Sequence, residues 1–242
     1  CLTVTGSSAS TTHSPYIVPA RYRQESTRLG MYYSVLRYNL SVMRGNPSTE
    51  LSPRVHDWTV RAYRDSIRSI DGFLERLSSD VDPERTSIVF HSDHGDAMRE
   101  HGMYGHQNQM YEENLRVPLA VLPADEPERV TEPVSLLGLP EVILDTAEDR
   151  LDPESYASAF TYSRTEFGEL DAVRGRRFKL VSGPDDEELY DLKVDPHERT
   201  DRVDELPEVA EPLRAYLERR RRSVRDRSDV VRAVRNVVET GP

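Results

Sequence analysis

The sequence has 242 residues and carries 43 Asp and Glu against 32 Lys and Arg, a net charge of -11 at neutral pH. Because such a chain repels phosphate, we expect no nucleic-acid partner. No apolar run approaches the roughly 18 residues of a membrane-spanning helix, so we expect no membrane partner.

Cysteine and lysine are both scarce. Cys1 is the only cysteine, which excludes an internal disulfide and a zinc site built on several thiolates. Lys179 and Lys193 are the only lysines, and an acidic chain with arginine in place of lysine suggests a salt-adapted protein. The alternative is an acidic cytosolic protein from a GC-rich genome. The start of the chain lacks the pattern of a signal peptide, so we expect a cytoplasmic location, and its lack of Met suggests a fragment or a processed form.

The first half of the chain predicts loops and helices. Residues 2–5 predict a short strand, residues 6–19 a loop rich in Ser, Thr, Gly and Pro, and residues 25–44 a helix. The clearest helix spans residues 57–79, where apolar residues recur at spacings of three and four. We expect this apolar face to pack on the core. Its members are Val60, Tyr63, Ile67, Ile70, Leu74 and Leu77.

A short apolar strand, SIVF at 87–90, follows a break at Pro83. A helix followed by a strand predicts an α/β fold with a mainly parallel sheet flanked by helices. In such sheets ligands bind beyond the carboxyl ends of the strands. The sequence SDHGD at 92–96 begins at that point, so we expect the chemistry of the protein there.

The second half of the chain has a different pattern. Residues 117–123 predict a second apolar strand, and residues 133–147 a loop and a short helix. Short strands separated by turns then predict a small antiparallel sheet, followed by a helix with an arginine-rich end. We therefore expect two domains: an α/β domain over residues 1–150, and an antiparallel sheet with a helical tail over residues 151–242.

Carboxylates and imidazoles crowd together after the SIVF strand. Asp93 offers a hard oxygen and His94 a nitrogen, so a loop curled around one ion would suit Mg, Ca, Mn or Zn. The alternative is a DHG turn in which Asp93 caps backbone amides and His101 is a core histidine. The spacing of these residues is compatible with both. The cluster comprises Ser92, Asp93, His94, Asp96, Glu100 and His101.

The longer stretch SIVFHSDHGDAMREHGMYGHQNQMYEENLRVPLAV resembles the sulfatase family of the alkaline phosphatase superfamily. Members of that family carry, in order, a strand, SDHG, EHG, Gly-Lys or Gly-His, YEE and RVPL. The stretches THSPYIVPARYR and YRDSIRSIDGFLERL before it, and AVRGRRFKLV and ELYDLKVDPHERTD after it, resemble further family motifs. The resemblance covers roughly residues 12–220. It implies an alkaline phosphatase-like α/β fold with a small C-terminal antiparallel subdomain.

The resemblance also implies roles for individual residues. Asp93 and His94 match the second pair of ligands to a divalent metal ion, which in the family is usually calcium. His13 matches a histidine that contacts the sulfate and protonates the leaving oxygen. His106 stands where many members have a lysine that touches the sulfate, and it carries a positive charge only when protonated. The implied function is hydrolysis of sulfate esters, with a sulfated small molecule or glycan as substrate.

Two family segments have no counterpart in the sequence. No C/S-x-P-x-R motif, the source of the formylglycine nucleophile, is present, and no strand carries the Asp-Asp pair that forms the other half of the metal site. In the family both precede the point at which this chain begins. We therefore expect a truncated chain with half of a metal site, whose partner would be the missing N-terminal segment. The alternatives are a phosphate or phosphonate ester hydrolase of the same superfamily and a degenerate relic without catalysis.

Overall fold

In a computed structural model the chain forms two compact units. The first unit contains Cys1–Gln107 and Arg116–Pro123, and the second contains Asn108–Leu115 and Ala124–Pro242. The predicted domain boundary at residue 150 remains a prediction, and the strand predicted at 2–5 lies outside the described residues. The described residues are 29–43, 51–106, 109–123, 129–165 and 170–240, with side chains described for 34–43 in the first range and up to 224 in the last.

Two helices open the described part of the first unit. Helix α1 spans Leu29–Met43, and helix α2 spans Pro53–Asp80. Pro53 suits the start of α2 because the first helical residues need no N–H partner within the helix. These bounds confirm the two helices predicted at 25–44 and 57–79.

The face of α2 that is most buried differs from the predicted one. Ile67, at the centre of the predicted apolar face, is 50% exposed. Apart from Trp58, the buried face carries small and polar residues, and the hydroxyl groups of Thr59 and Ser66 donate to backbone carbonyls one turn earlier. Small side chains allow a neighbouring element to approach the helix closely, and these internal hydrogen bonds satisfy the buried hydroxyls. The buried residues of α2 are Trp58, Thr59, Ala62, Asp65, Ser66 and Ser69.

Four short strands complete the described part of the first unit. Strand β1 (Ile88–His91) pairs antiparallel with β4 (Leu119–Leu122), and β2 (Ala97–Met98) pairs antiparallel with β3 (Tyr104–Gly105). Every strand pair among the described residues is antiparallel, so the predicted mainly parallel sheet is not found in them. Parallel pairing needs a crossover of a dozen or more residues, usually a helix. Between β1 and β4 the only helix in the described residues has a single turn.

The second unit contains the predicted antiparallel sheet and helix. Its four strands pair in chain order, and helix α5 (Pro207–Thr240) packs on them. Strand residues such as Val173, Leu180 and Leu189 form one apolar core with Leu217 of the helix. The strands are β5 (Phe160–Arg164), β6 (Asp171–Gly175), β7 (Phe178–Ser182) and β8 (Glu187–Asp191).

Two shorter helices also belong to this unit. Helix α3 (Glu112–Leu115) lies in the YEEN sequence, and helix α4 (Leu139–Ala147) confirms the short helix predicted within 133–147. None of the helices in the described ranges is both long and apolar enough to cross a membrane.

A buried ion network joins α3 to the sheet of the second unit. The Lys179 side chain is fully buried and pairs with Glu198, which is also fully buried. The Nζ of Lys179 lies 3.5 Å from Oε1 of Glu112, and the backbone N–H of Glu112 donates to Glu198 over 2.6 Å. Burial raises the pKa of Glu198, although the Lys179 charge opposes that change. The YEE, FKLV and DPHE sequences thus meet in one network.

Asp171 of β6 forms a second buried ion cluster. Its carboxylate accepts hydrogen bonds from Arg164 at 2.7 and 3.0 Å and from Arg221 at 2.7 Å. The hydroxyl of Tyr162 also donates to it. Burial alone would raise the pKa of Asp171, but the hydrogen bonds from its three partners lower it overall.

Candidate functional site

The SDHG sequence lies between β1 and the hairpin formed by β2 and β3. In that hairpin Ala97 is opposite Gly105, so the next residues outward, Asp96 and His106, are cross-strand neighbours. The carboxylate Oδ1 of Asp96 lies 2.9 Å from Nδ1 of His106. Since an ionised carboxylate only accepts, Nδ1 is the donor. The Asp96 side chain is 10% exposed and that of His106 is 33% exposed, so the contact is partly shielded from water.

Helix α1 fixes this hairpin within the first unit. The Asn39 side chain donates to the carbonyl of Tyr104 over 2.6 Å and accepts from its backbone N–H over 3.1 Å. The hydroxyl of Tyr38 donates to the carbonyl of Gly102 over 2.8 Å. Gly105 has φ +85°, a conformation that glycine adopts without the cost of a Cβ. The hairpin therefore holds His106 in a defined position.

The rings of His94 and His106 stack on each other. Their centroids lie 3.8 Å apart, with an angle of 31° between the planes. Nδ1 of His94 lies 3.0 Å from the carbonyl oxygen of Gly95, which can only accept, so this Nδ1 is also a donor. In their neutral forms both rings therefore have the lone pair on Nε2. Metal-binding histidines commonly donate through the other ring nitrogen in this manner.

Three side chains converge closely enough to hold a metal ion. His94, Asp96 and His106 each offer one ligand atom, and these atoms lie within 4.8 Å of one another. The residues fit a divalent cation in number and in chemistry. Calcium prefers six to eight oxygen ligands, whereas two imidazoles suit ions such as zinc or iron. The donor set among the described residues therefore accommodates a divalent ion and favours one that accepts nitrogen.

Asp93 lies beside His94, as the predicted ligand pair requires. Its Oδ2 is 3.8 Å from Nε2 of His94, and its Oδ1 accepts from the backbone N–H of His94 over 3.0 Å. The second contact is also the amide-capping contact of the alternative DHG turn. The Asp93 side chain is 82% exposed, so its carboxylate is accessible from solvent. Its role as a ligand, and that of His94, remain predictions.

His13, His106 and Asp96 complete the set of candidate site residues. His13, predicted to protonate the leaving oxygen, lies outside the described residues. His106, predicted to contact the sulfate, lies in the cluster described above. Asp96 received no role from the sequence, and its contact with His106 depends on the hairpin register. Glycines at 102 and 105 around a short apolar pair were the available signal for that hairpin.

Comparisons with known proteins show the family and the fold of the chain. A family model described as Sulfatase matches residues 8–149. No curated protein matches the chain. Many solved structures do, and the chain spans about half the length of those compared below.

Three of these structures illustrate the likeness. The phosphonate monoester hydrolase of Agrobacterium radiobacter has a TM-score of 0.64 and 18% identity, over 87% of this chain and 55% of that chain. The phosphonate monoester hydrolase from Silicibacter pomeroyi has a TM-score of 0.60 and 19% identity, over 88% and 54%. A 2-O GAG sulfatase has a TM-score of 0.58 and 18% identity, over 93% and 53%. At these identities the likeness shows a shared α/β sulfatase-like fold. Since the family model covers more than half of the residues, the chain belongs to the sulfatase family.

Proposed function

We propose that the chain is the C-terminal part of a hydrolase that cleaves sulfate esters. The observation that carries this proposal is the side-chain cluster after β1, in a chain of the sulfatase family. There His94, Asp96 and His106 have ligand atoms within 4.8 Å of one another, with Asp93 beside them. A sulfate ester is an anion whose leaving oxygen gains charge in the transition state, so a site of this kind must neutralise charge and supply a proton.

Each residue of the cluster has a distinct proposed role. Asp93 and His94 would hold a divalent metal ion, which neutralises the ester anion and fixes its orientation. Asp96 orients His106 through Nδ1, so Nε2 of His106 is the nitrogen that can reach the bound anion. A protonated His106 donates a hydrogen bond to that anion. His13 would protonate the leaving oxygen, as the family resemblance implies.

This sequence does not supply the nucleophile. The chain lacks the C/S-x-P-x-R motif, and orientation of the substrate does not replace a nucleophile. We therefore propose that the activity belongs to a longer protein. Its N-terminal segment would supply the nucleophile and the Asp-Asp half of the metal site.

The identity of the metal ion is part of the proposal. The family resemblance favours calcium, whereas the two imidazoles favour an ion that binds nitrogen. Calorimetric titrations of the chain with Ca²⁺, Mn²⁺ and Zn²⁺ in concentrated salt would compare these ions. The matched variant carries both Asp93→Ala and His94→Ala. Binding that this variant loses supports the half-site, whereas equal binding by both proteins contradicts it.

The same imidazole pair is equally compatible with a second candidate, hydrolysis of phosphate or phosphonate esters, and two of the similar structures are phosphonate monoester hydrolases. A metal ion that accepts nitrogen serves either kind of ester, so the metal alone does not select the substrate. The discriminating measurement is the rate of the longer protein on 4-nitrophenyl sulfate, 4-nitrophenyl phosphate and a 4-nitrophenyl phosphonate monoester. A preference for the sulfate supports the first candidate. No turnover of any of them, with no metal binding, would indicate a degenerate relic.

A further inference from the structure

A groove in the first unit runs between helix α2 and the tip of the β2–β3 hairpin. Its volume is about 660 Å³, within the range of roughly 300–1,000 Å³ that is common for small-molecule sites. One wall is apolar and consists of Val60 and Ile67 from the helix and Met98 from the hairpin. Arg64, Arg99 and Glu100 supply the charged part of the lining.

The apolar wall belongs to a face of α2 that is not fully buried. Val60 and Ile67 belong to the apolar face that the sequence predicts to pack on the core. In the structure the neighbouring face, which carries Ala62, Ser66 and Ser69, is the buried one, and Ile67 is half exposed. An apolar face that opens into a groove beside charged groups is a typical feature of a binding site.

The charged groups of the groove favour an anion. Among the described residues, neither Arg64 nor Arg99 forms an ion pair with a carboxylate. The guanidinium of Arg99 lies 5.4 Å from the ring centroid of Tyr38, which restricts its position. Arg99 also has φ +81°, a conformation that is rare for a side chain of this kind and marks sites held by their surroundings. Two arginines on one groove can together bind sulfate, phosphate or carboxylate.

The remaining polar groups suit the hydroxyl groups of a sugar. The Glu100 carboxylate accepts from the backbone N–H of Met98 and, as an ion, has further lone pairs for other donors. Nδ1 of His56 lies 2.7 Å from the hydroxyl of Tyr104, which fixes the imidazole at the other end of the groove. A groove with an apolar wall, a carboxylate and two guanidiniums matches a ring with one apolar face, free hydroxyls and an anionic group.

Tyr63 connects this groove to the metal-ligand cluster. Its side chain lines the groove, and its pKa is raised by burial first and then by the charges of Asp96 and Glu100. Asp96 is the residue that orients His106. Met98, which also lines the groove, is two residues from Asp96 along the chain, so the groove and the cluster are neighbours within one unit.

We propose that this groove binds the organic part of the ester, a sugar ring that carries a second anionic group on Arg64 and Arg99. The inference rests on the proposed function for the ester at the cluster, but its test requires no hydrolysis. Arg64 and Arg99 would then determine which esters bind, while the cluster after β1 serves the chemistry.

The single tryptophan provides the measurement. Trp58 and Ala62 form a small apolar cluster against which Tyr63 and Met98 pack, and both of these residues line the groove. Its fluorescence should therefore change on binding. The purified chain is titrated without metal with glucose 6-sulfate, glucose and methyl sulfate, which separates the ring from the anion. The variants are Arg64→Gln and Arg99→Gln, and Arg85→Gln is the control, since Arg85 is exposed in the same unit and does not line the groove.

We expect glucose 6-sulfate to bind at least tenfold more tightly than either glucose or methyl sulfate. Each groove variant should weaken its binding about tenfold, because each removes a hydrogen bond to a charged group. The Arg85 control should bind as the unsubstituted chain does. Equal binding of glucose and its sulfate, no binding at millimolar concentration, or unchanged binding in both groove variants would overturn the proposal. If the chain binds metal but not glucose 6-sulfate, the proposal for the groove is refuted and the metal half-site is not. If the chain binds glucose 6-sulfate but no metal, the metal half-site is refuted and the proposal for the groove is not.

Discussion

Replacement of Lys179 by methionine should strongly destabilise the second unit. Lys179 and Glu198 are both fully buried, and Glu112 lies 3.5 Å from the lysine nitrogen. Methionine fills a similar volume but leaves the buried carboxylate of Glu198 without a cation, whereas Glu112 keeps its contact with Arg174 at 3.2 Å. Loss of one partner from a buried ion pair costs about 3–5 kcal/mol. Glu198 already has a raised pKa, and its protonation would limit the cost, so we expect a value near 3 kcal/mol.

Lys193→Met is the matched control, because Lys193 is the only other lysine and is exposed. It should change the free energy of unfolding by less than about 0.5 kcal/mol. The measurement is urea unfolding followed by far-UV circular dichroism, with Trp58 fluorescence as a separate report on the first unit. At roughly 2–4 °C per kcal/mol, the Lys179 variant should melt at least about 6 °C lower.

The Lys179 effect should also persist in concentrated salt, since buried pairs are screened much less than exposed ones. A second replacement, Glu198→Gln, should recover part of the lost stability in the Lys179→Met background. If Lys179→Met and Lys193→Met are equally stable, the network contributes nothing and the reasoning is refuted.

Three further predictions concern other sites. Because the pKa of Asp171 is lowered in the folded state, its stabilisation is present above its unfolded pKa of about 3.9 and is lost as pH falls. Asp171→Asn should therefore lose less stability than the unsubstituted chain between about pH 5 and pH 2 in acid titrations, and an unchanged slope would contradict this. Asp96→Asn should weaken Zn²⁺ or Mn²⁺ binding about tenfold by calorimetry, because it removes an ionised carboxylate within 4.8 Å of the ligand atom of His94, while Asp80→Asn should leave binding unchanged. Gly105→Ala should lower stability by about 1 kcal/mol in thermal melts because of its positive φ, whereas Gly138→Ala, at φ -83°, should cost less, and equal losses would argue against backbone strain.

Periodicity was sufficient to predict the elements that are long or repeated. The predicted helix at 57–79 lies within α2, and the alternating strands after residue 156 form the predicted antiparallel sheet. Both signals are local, because a period of 3.6 or 2 residues is read within one segment. Which face of α2 is buried depends on contacts with distant segments, so a local pattern does not determine it. Large apolar side chains such as Ile67 recur with the same helical period as the small residues that are buried, so the period alone does not show which face packs on the core.

Pairing partners could not be read from the sequence for the same reason. The strand predicted at 87–90 corresponds to β1 at Ile88–His91, but its antiparallel partner, Leu119–Leu122, lies some 30 positions later. The approach of Asp96 to His106 depends on a hairpin of two residues per strand, too short for any periodic signal. The crowding of carboxylates and imidazoles pointed to His94, whereas motif resemblance, which carries information about distant pairings, gave His106 its predicted contact with the sulfate.

The burial of Lys179 has a practical consequence for labelling the protein. Amine-reactive reagents attack unprotonated lysine side chains that solvent can reach. With Lys179 fully enclosed, Lys193 is the only lysine side chain of the folded chain that remains for such a reagent, apart from the terminal amine. One dye or crosslinker could therefore be attached to the second unit without mutagenesis. Appearance of a second modified lysine would then signal that this unit has opened.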